Sequence, residues 1–61
     1  MIERQADKIV IISLNNRKWK VYAQDGIFQH RRKIYKSYFP ACQYAILLSG
    51  YYRVEVKEMS K

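Results

Sequence analysis

Sixty-one residues with one cysteine, one histidine and a formal charge of +7 exclude several classes of protein at once. A chain this short buries only about 60% of its unfolded surface and gains roughly 3–5 kcal/mol from its core; no disulfide can staple it, and Cys42 with His30 makes no zinc-binding cluster. The apolar runs at 9–12 and 45–48 fall far short of the ~20 residues that cross a bilayer, and the lone thiol with no leader-like start predicts a reducing, cytoplasmic setting.

In chain order, "KIVIISL" at 8–14 is β-branched and apolar without helical spacing, which predicts a first strand. Asn15 and Asn16 suit a two-residue hairpin turn. The stretch "RKWKVYAQ" at 17–24 then alternates, with Trp19, Val21 and Ala23 on one side and Lys18, Lys20 and Tyr22 on the other. A turn at Asn15–Asn16 sets Ile12 opposite Trp19 and Val10 opposite Val21, so Val10, Ile12, Trp19 and Val21 are expected on the core side. A third strand is expected over 31–37. A tight Asp25-Gly26 turn would set Arg32 opposite Trp19 on the core side, which argues for a longer loop or a bulge within 25–30.

Residues 39–50, "FPACQYAILLSG", change to helix formers. Pro40 fits a first turn, Gly50 a terminating cap, and Ser37 or Phe39 the N-terminal cap. Ala41, Tyr44, Ala45 and Leu48 make the inner stripe, with Cys42 a small core residue beside it. "YYRVEVKE" at 51–58 alternates again, with Tyr52, Val54 and Val56 inward and Tyr51, Arg53, Glu55 and Lys57 outward.

The expectation is therefore a single small α+β domain over 1–61, ordered β-β-β-α-β. It has a four-stranded, mostly antiparallel twisted sheet in the order 3-2-1-4, with one helix on one face. Residues 1–6 and 59–61 are expected to fray.

Charge is concentrated in 17–36, where Arg17, Lys18, Lys20, Arg31, Arg32, Lys33 and Lys36 stand against Asp25 alone, leaving +1 for the rest of the chain. One helix covers one sheet face, so the other is expected to show Ile9, Ile11, Lys18, Lys20, Tyr22, Lys33, Tyr35, Tyr51, Arg53 and Lys57. Cations interleaved with rings are the pattern of surfaces that hold phosphates and stack bases. The expected partner-binding set is Lys18, Lys20, Tyr22, Arg31, Arg32, Lys33, Tyr35, Tyr51 and Arg53, for nucleic acid or an acidic protein surface. A homodimer through the open sheet face or the exposed helix is a third possibility.

In layout, the strands, basic hairpin and following helix over 17–49 resemble the small three-stranded DNA-binding domains at the front of some phage-type integrases, from which the strand at 51–58 departs. The overall layout is also similar to small phage accessory proteins that block a host enzyme. These resemblances imply a nucleic-acid-binding accessory module or a protein-binding inhibitor. No RNA-recognition signature, GXXG loop or phosphate-binding glycine loop is present, since Gly26 and Gly50 are the only glycines. His30 in a basic loop reads as solvated or phosphate-contacting. The sequence predicts no enzyme, no cofactor and no membrane partner.

Overall fold

The computed structural model describes residues 6–15 and 17–59. Strands β1 (Lys8–Ser13), β2 (Trp19–Asp25) and β3 (Phe28–Tyr35) are followed by helix α1 (Tyr38–Tyr52) and strand β4 (Val56–Met59). The sheet order is β3-β2-β1-β4, with β1 and β4 parallel and the other pairs antiparallel. The expected α+β architecture and strand order are observed. Of the residues expected to fray, 1–5, 60 and 61 lie outside the described residues, whereas Ala6 packs on the core and Met59 belongs to β4.

The first hairpin corrects the expected register. Ser13 pairs with Trp19, Ile11 with Val21 and Ile9 with Ala23. The Leu14 N–H donates to the Lys18 carbonyl at 2.7 Å, so the connection spans 15–17 rather than two residues. Arg17 closes it in the left-handed region at φ 62; Asn16 lies outside the described residues. One added loop residue slides the pairing by one and exchanges the faces of β1. Ile9 and Ile11, expected on the open face, are buried against the helix, and Val10 and Ile12, expected in the core, are on the other side.

The second hairpin is tight. Asp25 pairs with Phe28 across Gly26 and Ile27, and Gly26 adopts φ +62, where glycine is unstrained. The irregularity expected within 25–30 comes later: Val21 pairs with Lys33 but Ala23 with His30, leaving Arg31 and Arg32 together opposite Tyr22. Arg31 takes φ 56, as the first residue of such a bulge does. A turn at Gly26–Ile27 rather than Asp25–Gly26 already takes Arg32 away from Trp19 and would set Ile34 there, and the extra residue of the bulge brings Tyr35 opposite Trp19, so no cation meets the core.

The helix runs past Gly50 to Tyr52 and ends on Arg53, whose φ of 60 and ψ of 47 are left-handed and whose N–H donates to the Ser49 carbonyl. Ser37 is the N-terminal cap residue, without a side-chain cap bond. The expected fourth strand thus loses its first residues to the helix and begins at Val56. Ala41, Ala45 and Leu48 face the sheet, and the two alanines at i and i+4 let the helix lie close over Ile9, Ile11, Val21 and Ala23. Trp19, Tyr35, Tyr44, Tyr52 and Val54 border this core; the Trp19 and Tyr38 rings meet edge-on with centroids 4.7 Å apart. Val56 lies beside Ile9 on the helix side, as expected, but at the sheet edge it stays 38% exposed, and Cys42 is half-buried at the flank of α1.

Candidate functional site

Cross-strand partners share a face, so the pairing maps the uncovered side of the sheet row by row. A central row runs Lys57, Val10, Tyr22 and then Arg32 from the bulge; a second runs Met59, Ile12, Lys20 and Ile34; a third holds Lys8, Gln24 and Gln29. Lys8, Lys20, Arg32 and Lys57 therefore surround the Val10–Tyr22 centre. Both acids of the described strands, Asp25 and Glu58, have the opposite parity and fall on the helix side. There Glu58 accepts a hydrogen bond from the Tyr38 hydroxyl at 3.0 Å, and Asp25 lies 3.8 Å from His30. Among the described strand residues, the uncovered side thus carries cations and no acid.

The centre of this side is closed. Val10 is buried and Tyr22 is only 8% exposed, although no described helix or strand lies over them. Lys20 Nζ stands 5.3 Å from the centroid of the Tyr22 ring, its stem lying along the apolar floor while the charge stays in water. What the surface presents outward is ammonium and guanidinium groups, rimmed by exposed Ile34 and Met59.

The nine expected partner-binding residues divide into three groups. Lys20, Tyr22 and Arg32 share the uncovered side, with Lys18 at the foot of β2. Lys33 and Tyr35 lie on the helix side: Lys33 Nζ is 5.2 Å from the Tyr44 ring centroid, and the Tyr35 and Tyr44 rings are 5.9 Å apart. Arg31, Tyr51 and Arg53 gather at the C-terminal end of α1. The Arg31 guanidinium lies 5.1 Å from the Tyr51 ring centroid and its carbonyl accepts the Tyr44 hydroxyl. A hydrogen bond to the Tyr52 hydroxyl and the neighbouring Tyr51 raise the Arg31 pKa above its ordinary value. Tyr51 is helical rather than on a strand and Tyr35 faces the helix, so of the expected stacking rings only Tyr22 is on the open face, and it is 8% exposed.

Lys8 was outside the expected set because the two-residue turn placed its face inward. The signal that would have found it is its i, i+2 spacing to Val10, read with a three-residue loop. Beside Arg31 lies a mostly apolar cleft of about 470 Å³, lined by Arg31, Tyr44, Leu47, Leu48, Gly50 and Tyr51, which sequence reasoning did not anticipate.

Among the described residues no group of three His, Cys, Asp or Glu is placed to hold a metal ion, and no helix is long and apolar enough to cross a membrane. Comparison with protein-family models, curated proteins and solved structures finds no match.

Proposed function

We propose that this chain is a non-catalytic, cytoplasmic accessory module that binds nucleic acid by its phosphate backbone, through Lys8, Lys20, Arg32 and Lys57. The observation that carries this reading is the sorting of charge across the sheet, with four cations on the uncovered side and both strand acids on the helix side. A merely solvated face mixes the two signs, whereas a face of one sign attracts a polyanion. The buried ring of Tyr22 argues for phosphate contacts over base stacking, because a stacking platform needs an exposed π-face.

Exposed Ile34 and Met59 at the rim favour a second reading, an acidic protein surface with an apolar anchor. Binding of random-sequence duplex across a salt series separates the two. Four phosphate contacts give a log–log slope of about −3.6, and Lys20→Gln or Arg32→Gln should each flatten it by roughly one unit. Tyr22→Phe should leave affinity unchanged. No duplex or single-strand binding at low salt refutes the nucleic-acid reading in favour of the acidic protein.

A further inference from the structure

Helix α1 carries no charged residue from Tyr38 to Tyr52, in a chain of net charge +7. On the side turned away from the core stand Phe39, Ile46 and Leu47, 70%, 62% and 65% exposed. Gln43 and Gly50 complete this face, since residues 39, 43, 46 and 50 follow the helical repeat. Gly50 is not explained within the chain. It lies inside the helix, it is absent from the positive-φ positions, and a Cβ built on it meets nothing within 4 Å. Glycine in a helix interior weakens the helix relative to alanine, and no turn or internal packing here requires it.

We infer that this face joins two copies of the chain, α1 against α1, antiparallel about a two-fold axis. An axis level with the midpoint between Tyr44 and Ala45 makes the face self-complementary, as an isologous contact must be. Phe39 of each copy then meets Gly50 of the other, and Gln43 meets Ile46. The largest side chain on the face is set against the residue with none. The cleft of about 470 Å³ that opens beside Gly50 receives the ring, and Arg31, the one charged residue lining it, is occupied by Tyr51 and Tyr52.

Charge selects the occupant. An acidic partner or an anionic lipid surface is drawn to the four cations of the uncovered sheet side, whereas Lys33 and Arg31 of β3, on the helix side, stand over the Tyr44 and Tyr51 rings at the flank of α1. Two copies of a +7 chain repel wherever their cations meet, and the uncharged outer face of α1 is where they approach with the least of that penalty. A helix of fifteen residues spans about 22 Å, so the contact sits near or below the ~1,200 Å² of small specific interfaces. The dimer is therefore reversible and concentration-dependent.

Sedimentation equilibrium of the full chain, reduced and in salt sufficient to screen charge, tests this. The parent should show a monomer–dimer equilibrium. Ile46→Lys should abolish it while preserving the monomer's circular dichroism and melting, because Ile46 makes no core contact. Gly50→Leu should weaken association by about tenfold or more by displacing the Phe39 ring. Adding Gln43→Glu to Ile46→Lys should restore it across the antiparallel pairing, and Lys20→Glu on the open sheet face should not disrupt it. A parent that stays monomeric at every concentration overturns the inference. So does a dimer insensitive to either Ile46→Lys or Gly50→Leu.

Discussion

The three described non-glycine residues with positive φ are all arginines, at the end of the first loop (Arg17), at the β3 bulge (Arg31) and at the helix C-cap (Arg53). Left-handed backbone costs an L-residue roughly 1–2 kcal/mol, so each position holds a guanidinium against a local preference for glycine. Arg53→Gly should raise stability by about 1 kcal/mol in urea unfolding. Arg31→Gly should gain less, because it also gives up the guanidinium contact over the Tyr51 ring. Equal gains would mean that the Arg31–Tyr51 contact contributes nothing. Two tyrosines predict the alkaline limb of stability. The hydrogen bond to Glu58 raises the Tyr38 pKa, and burial, then Tyr35, raises that of Tyr44. A raised folded value means that the neutral form stabilises the fold. This contribution is complete below the ordinary tyrosine pKa of about 10 and is lost as pH climbs through the folded values. Tyr44→Phe and Tyr38→Phe should each reduce the loss of urea midpoint between about pH 8 and about pH 11.

At the scale of elements, the first hairpin decides which side of β1 is core. Ile11 is buried under α1, whereas Ile12 is half-buried on the uncovered side. Ile11→Ala should therefore cost about 3 kcal/mol and Ile12→Ala about 1 kcal/mol. Chemical denaturation of the two variants reads the register directly, and the reverse order would restore the two-residue turn. The β2–β3 turn makes a smaller claim. Gly26→Ala meets open space but must hold φ +62, so it should cost about 1 kcal/mol through backbone strain alone.

For the whole molecule, the +7 charge acts with opposite sign on folding and on binding. Self-repulsion among the cations destabilises the compact state and is screened by salt, so the melting temperature should rise from low to moderate ionic strength. Affinity for a polyanion should fall over the same range by counterion release. Parallel melting and binding series check this, and a melting temperature that falls with salt would show that attractive ion pairs outweigh the repulsion. Sheet and helix place the two proposed contacts on opposite sides of the molecule. A back-to-back dimer would then carry two outward cationic faces and could hold two polyanion segments at once.

The chain's alternation and punctuation determined the order β-β-β-α-β, the position of the helix and the sheet order 3-2-1-4. Those follow from local period, Pro40 and a helical crossover too long for a hairpin, and each depends on residues close in sequence. The inner stripe of Ala41, Ala45 and Leu48 was legible for the same reason. Of the candidate site, Lys20, Tyr22 and Lys57 were legible on the open face, whereas Arg32 reaches it only through the bulge, and Lys33, Tyr35, Tyr51 and Arg53, expected there, lie elsewhere. Only the tertiary structure decided the register of β1, because Ile9, Val10, Ile11 and Ile12 are all apolar and either face of that strand can be buried. With the strand indifferent, one loop residue more or less settles the matter, and a side-chain period of two turns that single residue into an exchange of core and surface. The end of α1 had the same ambiguity: Gly50 matches a terminating glycine in sequence, but the chain reverses at Arg53, where Val54 and Tyr52 can still reach the core.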